Sequence, residues 1–163
     1  MQARSRDLAY IQFYSELLIM KAKIGKRRQA RENVLKILYQ MEILGDELDT
    51  VLDRYWDTSP TFDDTIKKFA NELVKGIAEK KNELDEVIKN KLKNWNFERV
   101  AIIDRNILRM GVYEIMFRDD IPDSVSINEA IEIAKKYGDQ ESSRFINGIL
   151  DKVAKSKSQM KNC

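Results

Sequence analysis

The chain has 163 residues, 43% hydrophobic and 34% charged with net charge +2, and contains 6 Gly, 2 Pro, no His and a single Cys, Cys163. That length suffices to bury a core as one domain, or as two small subdomains sharing one, without staples, and the lone Cys163 excludes an internal disulfide framework and points to a reducing, cytoplasmic setting. The missing His excludes imidazole metal sites and His-based acid–base catalysis, no glycine-rich phosphate loop, nucleophile elbow or paired-acid motif is present, and the scarcity of Gly and Pro predicts helices throughout.

Residues 1 to 25 carry the apolar run LAYIQFYSELLIM, which Gln12, Ser15 and Glu16 interrupt. It is too short for a membrane span, and no small-residue cleavage site follows it. The patterned part of the chain begins only later, so translation is expected to start at Met20, with the preceding residues an overrun of the start site. Between Lys21 and Lys36 the sequence then places seven cations and one acid, Glu32, a local +6 against +2 for the whole chain, which leaves −4 elsewhere. Lys26, Arg27, Arg28 and Arg31 stand where a helix is expected to begin. Exposed cations are unfavourable at a helix N-terminus, where unpaired N–H groups carry partial positive charge. The cluster therefore reads either as a solvated basic edge or as a surface for phosphate or an acidic partner.

After Gly25, Ala30, Val34, Ile37, Leu38 and Met41 recur with helical period, and Gly45 is a natural stop. Leu35, Tyr39 and Ile43 form a second stripe on the side of Arg28 and Arg31. A short helix is expected from Asp46 to Trp56, with Thr58, Ser59 and Pro60 as the break after it. Thr61 or Asp63 can cap the next helix, which runs to about Lys80 with Ile66, Phe69, Ala70, Leu73, Val74 and Ile77 inward. Asn82 is the expected cap of a helix carrying Leu84, Val87, Ile88 and Leu92, and Lys93 to Asn96 reads as a turn.

Phe97 to Arg118 is predicted to be one helix, apolar on most sides and therefore central. On it Asp104 shares a row with Phe97, Ala101, Leu108 and Ile115, where an acid needs either a local ion pair with Arg105 or Arg109 or a partner across an interface. Past the turn at Asp119 to Pro122, Ser126-x-x-Glu129 has the form of a capping box and introduces Ile127, Ala130, Ile131 and Ala134. The last helix starts near Gln140 to Ser142 and buries Ile146, Ile149, Leu150 and Val153. A close packing contact is expected at Gly148. Phe145 lies about 90° from the centre of that stripe, as a core flank or a surface contact, with Arg144 further round. Lys155 to Cys163 reads as a frayed tail.

Three blocks, RRQARENVLKILYQ, RNILRMGVYEI and SINEAIEIAKKYGDQESSRFINGILDKV, together resemble the NusB family of bacterial transcription antitermination factors. The resemblance runs over roughly residues 26 to 155, most specifically in the last block. It implies an all-α domain of about seven helices in two small packed subdomains over residues 26–157, an extension at 1–25 outside the resemblance and a flexible tail at 158–163. It also implies a non-catalytic adaptor without a cofactor that pairs with NusE, a small ribosomal subunit protein, on single-stranded boxA RNA. With NusA and NusG such an adaptor helps keep RNA polymerase termination-resistant, notably on ribosomal RNA operons. No membrane contact is implied, while some members of the family self-associate as homodimers.

Residue by residue, the resemblance implies that Lys26, Arg27, Arg28 and Arg31 face RNA phosphates, with Gln29 where the family often has a further Arg. Phe145 matches an aromatic at the RNA surface, Glu141 an acidic position beside it, and Arg144 completes that set. Tyr39 and Asp104 match positions at the NusE interface. Two other readings are weighed against this: a protein-only scaffold whose basic edge meets acidic partners, and an accessory module of an RNA-modifying enzyme.

Overall fold

The first helix, α1, spans Ser5–Leu44 and crosses Gly25 without a break. It belongs to a computed structural model that describes residues 5–59 and 62–163, without the side chains at 5–7, 10 and 20–24. The basic cluster therefore sits in mid-helix, where its N–H groups are already bonded, and the helix-end penalty expected for it does not arise. In the outer half of α1, Leu8, Ile11, Phe13, Leu18 and Ile19 are exposed, and among the described residues burial begins at Ala30. Gly45 ends the helix at φ 67°, a left-handed turn open to glycine, with its N–H on Met41 O at 2.9 Å.

Helix α2, Leu48–Thr58, buries Val51, Leu52 and Tyr55, and the Tyr55 hydroxyl donates to Asn33 Oδ1 on α1. Of the two caps expected for α3, Asp64–Glu79, Asp63 serves, accepting from the Ile66 N–H at 3.0 Å; Thr61, like Pro60, lies outside the described residues. The α3 stripe from Ile66 to Ile77 is buried as expected. Helix α4, Lys81–Lys91, begins directly after Lys80, so Asn82 lies within its first turn and caps nothing.

Asn94, at φ 65°, turns the chain, and the single helix expected from Phe97 to Arg118 is divided. Asn96 accepts from the Glu98 N–H at 3.0 Å and starts a 3-10 turn at Phe97–Arg99. Val100 and Ala101 are then extended, with ψ 132° and 141°, before α5 opens at Ile102–Phe117. The break lets both Phe97 and Val100 be buried, and apolar spacing cannot reveal it because α5 is apolar nearly all round. Asp104 consequently lies in the first turn of α5, off the row it was expected to share with Phe97 and Ala101.

Helix α6, Asp123–Tyr137, begins after Pro122, three residues before the expected box. Ser126 and Glu129 are buried inside the helix and cap nothing. Helix α7, Ser142–Lys161, buries Ile146, Ile149, Leu150 and Val153. It continues through the segment expected to fray, where Lys157 Nζ donates to Ile115 O at 2.6 Å and to Asp123 Oδ1 at 3.0 Å.

Among the described residues the α-helices number seven, with α1 packed on α3, and with α5, α6 and α7 packed on one another. α1 and α3 dock on α5, and one apolar cluster takes residues from all of them. No described helix is long and apolar enough to cross a membrane.

The close glycine contact expected at α7 is not made by Gly148; Gly111 on α5 makes one with α7 instead. A Cβ on Gly111 would lie 2.7 Å from Leu150 Cδ1, whereas one on Gly148 would meet open space. Gly111→Ala is therefore expected to destabilise by about 1–3 kcal/mol through overpacking, while Gly148→Ala gains up to about 1 kcal/mol of helix propensity; urea unfolding of the two variants reads the opposite signs.

Candidate nucleic-acid interface

The four cations of the basic cluster have four different surroundings. Lys26 reaches Asp63 at 2.9 Å, an exposed pair. Arg27 lies over the Phe69 ring at 4.8 Å and makes no ion pair among the described residues. Arg28 forms a two-pronged pair with Glu129 of α6, both contacts 2.8 Å, and its guanidinium remains partly open to solvent. Arg31 is 2% exposed and holds Glu114 of α5 at 2.9 and 2.8 Å.

The expected phosphate role of Arg31 is corrected by this burial. Its position on the row of Val34, Leu35 and Leu38, all buried, turns it inward, and its donors are engaged by Glu114. Ser126 donates to the same carboxylate at 3.1 Å, and Arg31 Nη1 also approaches Glu129 at 3.9 Å. What looked like a capping box thus supplies the polar half of a buried network joining α1, α5 and α6. The hydrogen bonds from Arg28 to Glu129 hold the Arg28 guanidinium above its already high ordinary pKa, so it is charged at every physiological pH.

Beside Arg27 a cleft of about 210 Å³ is lined by Lys26, Lys68, Glu72 and Arg118. Sequence reading missed Lys68 and Arg118. Both belong to other helices or turns, and the charge run around Arg27 gave no signal for them.

A second groove, about 390 Å³, opens between the 93–101 segment and the α6–α7 turn, lined by Trp95, Asp104, Asp139, Glu141, Arg144 and Phe145 among others. Phe145 is half-buried against the core edge, and its ring lies 5.9 Å from that of Trp95 at 49°. Trp95, passed over in sequence as part of a turn, is 63% exposed. Glu141 is exposed at the start of α7, its N–H on Asp139 Oδ1 at 2.9 Å, and Arg144 is exposed beside it.

Asp104 is 8% exposed, and its Oδ1 has no hydrogen-bond partner. The local ion pair expected for it is absent. Arg105 pairs with Glu42 at 2.6 Å, and Arg109 with Asp85 at 2.7 Å and Glu42 at 3.3 Å. Burial pushes the Asp104 carboxyl above the usual carboxylate range, the Ser142 hydroxyl opposes that rise, and the charge of Asp139 adds to it. The first turn of α5 favours an acid, but burial prevails. Of the expected second stripe on α1, Leu35 is buried while Tyr39 and Ile43 are exposed.

The two regions meet α1 through different helices. Arg28 pairs with Glu129 of α6, and fourteen residues, about 20 Å, further along α1 Glu42 pairs with Arg105 of α5, the chain neighbour of Asp104. Between those contacts Lys136 pairs with Glu32 at 3.0 Å, and exposed Lys36 lies 6.0 Å from the Tyr137 ring. A strand that spans both regions meets cations at one and aromatic rings at the other.

A family model described as the NusB family matches residues 28–155. The transcription antitermination protein NusB of Methylacidiphilum infernorum is 48% identical over 130 residues, 79% of this chain and 90% of that one. Among solved structures, T. maritima NusB is 41% identical at a TM-score of 0.73, covering 79% of this chain and 90% of its own. A complex of the antitermination factors NusB and NusE with double-stranded RNA aligns at a TM-score of 0.74 over 81% of this chain and 98% of that one, at 23% identity, a likeness of fold.

Two stability measurements separate the interior charges from the surface ones. Arg31→Met strands Glu114 in the core and is expected to cost about 3–5 kcal/mol, whereas Arg27→Gln loses a surface contact worth about 1 kcal/mol at most; urea titration reads both. For Asp104 the folded pKa lies above the unfolded one, so its ionisation weakens the fold as pH rises through that range. Asp104→Asn is therefore expected to raise the melting temperature at pH 7, by an amount that shrinks as the pH is lowered toward the ordinary carboxylate range.

Proposed function

The chain belongs to the NusB family, and on that premise we propose that it acts as a transcription antitermination factor that binds single-stranded boxA-type RNA together with NusE. It works as an adaptor and not as an enzyme. The observation that carries the reading is the presence of two surfaces: a partly open cationic edge at Lys26, Arg27 and Arg28, and an aromatic groove at Trp95 and Phe145.

Lys26, Arg27 and Arg28 supply attraction to phosphate, with little discrimination among sequences. Arg31 supports them from below by fixing α1 against α5. Phe145, with Glu141 and Arg144 beside it, meets the bases. Exposed Tyr39 and the neighbouring Ile43 and Leu44 offer NusE an apolar strip on α1. The assembled pair, with NusA and NusG, helps hold RNA polymerase in a termination-resistant state.

The test is a fluorescence titration of boxA-type and scrambled RNA, with and without NusE. Preference for the boxA-type strand, strengthened by NusE because two linked surfaces act on one RNA, is the expected result. Equal weak binding of both RNAs with NusE present would return the chain to a protein-only scaffold. Arg27→Gln, which leaves the buried network untouched, is expected to weaken binding and to reduce the slope of log K against log salt by about one; an unchanged slope takes Arg27 out of the phosphate contacts.

A further inference from the structure

Residues 8 to 19 of α1 lie outside the core, and Leu8, Ile11, Phe13, Leu18 and Ile19 are each 59–67% exposed there. A stretch of helix without a packed face is marginal in water, and an apolar run of this size on a surface marks a contact with another molecule. At 100° per residue Leu8, Ile11, Ser15, Leu18 and Ile19 fall within a sector of about 100°, and the first four repeat at the 3-4-3 spacing of a seam between helices. Ser15, at the middle, turns its hydroxyl onto Ile11 O at 3.0 Å and Gln12 O at 2.9 Å, so it brings no unpaired donor into that seam. Gln12 and Glu16, joined at 3.4 Å, border the sector with polar groups.

We infer that this face pairs with the same face of a second copy of the chain, the two α1 helices antiparallel. The stripe is self-complementary in that direction: Leu8 and Ile11 at one end meet Ile19 and Leu18 at the other, with Ser15 of both copies near the middle. Charge selects the direction. Lys21 to Lys36 carries a local +6, whereas Glu16 is the single charge between Leu8 and Met20, so parallel helices would set two strongly cationic clusters side by side. Antiparallel helices carry the two Arg27 side chains to opposite ends, about 40 Å apart and well beyond screening range. Leu8, Ile11, Leu18 and Ile19, with the stems of their neighbours, remove about 500 Å² per copy from water. The pair thus buries about 1,000 Å², the lower bound of a specific interface. The face precedes residues 28–155, which match the family model, so the inference is separate from the RNA-binding reading, and the pairing leaves both cationic edges open.

The experiment uses the full 163-residue chain, its intact mass first shown to include residues 1 to 19. Sedimentation equilibrium is expected to give one chain mass at about 1 μM and two at about 100 μM, the range that an interface of this area supports. Ile11→Glu and Leu18→Glu, both at exposed sites, each bury a charge in the seam and weaken the pairing at least about tenfold, while the urea midpoint at about 1 μM stays that of the unaltered chain. Val125→Glu, at an exposed apolar site on α6, leaves the pairing as it was. A spin label at Gln29→Cys, exposed on α1, in a Cys163→Ser background reads the direction: about 45 Å between copies for antiparallel helices and below about 20 Å for parallel ones. A chain that stays single at about 100 μM overturns the inference, as does a dimer indifferent to both glutamates or a label distance in the shorter range.

Discussion

Arg28 and Arg31, three residues apart on α1, hold Glu129 and Glu114 on two other helices, and this network decides how the rest of the molecule is arranged. A buried ion pair adds little to stability against an apolar alternative, because removing both charges from water costs several kcal/mol. It does fix geometry, since a guanidinium and a carboxylate meet two-pronged only in a narrow range of orientations. With Arg31 locked to α5 and Arg28 to α6, the rotation of α1 about its own axis is settled. Arg27 and Lys26 are thereby turned outward on the side of α3.

Rotation alone does not explain why four neighbouring cations do not share one fate. Arg27 and Arg31 are one turn apart, about 40° around the axis, and both lie over the Phe69 ring, but only Arg31 is deep enough to reach Glu114. The groove at Trp95 and Phe145 follows another rule. There carboxylates outnumber cations, and two aromatic rings provide the open surface, so attraction to a charged backbone and contact with bases occur at separate places.

Much of this was legible in the sequence where a signal is local. Gly45, Asp63, the α3 stripe and the α7 stripe are each specified within one helix turn, and each stands in the structure as read. Signals that depend on a distant partner were misread. Ser126 and Glu129 have capping-box spacing, but Arg28 and Glu114 draw them inside α6. Arg31 belonged at once to a basic run and to the core row of Val34 and Leu38, and only the position of Glu114 decides between them. Gly148 drew attention through its Asn neighbour, while Gly111, hidden in an apolar run, is the one touching Leu150. Trp95 carried no pattern at all, since a turn residue acquires its surroundings from the segments that fold beside it.

The continuity of α1 has a mechanical meaning. Forty residues without a break make a rod about 60 Å long, and its outer half shares one helical phase with the cationic edge. Whatever grips Leu8, Ile11 or Leu18 is therefore held at a set azimuth relative to Arg27. One residue added near Gly25 would swing that grip about 100° around the axis, and seven would bring it nearly back.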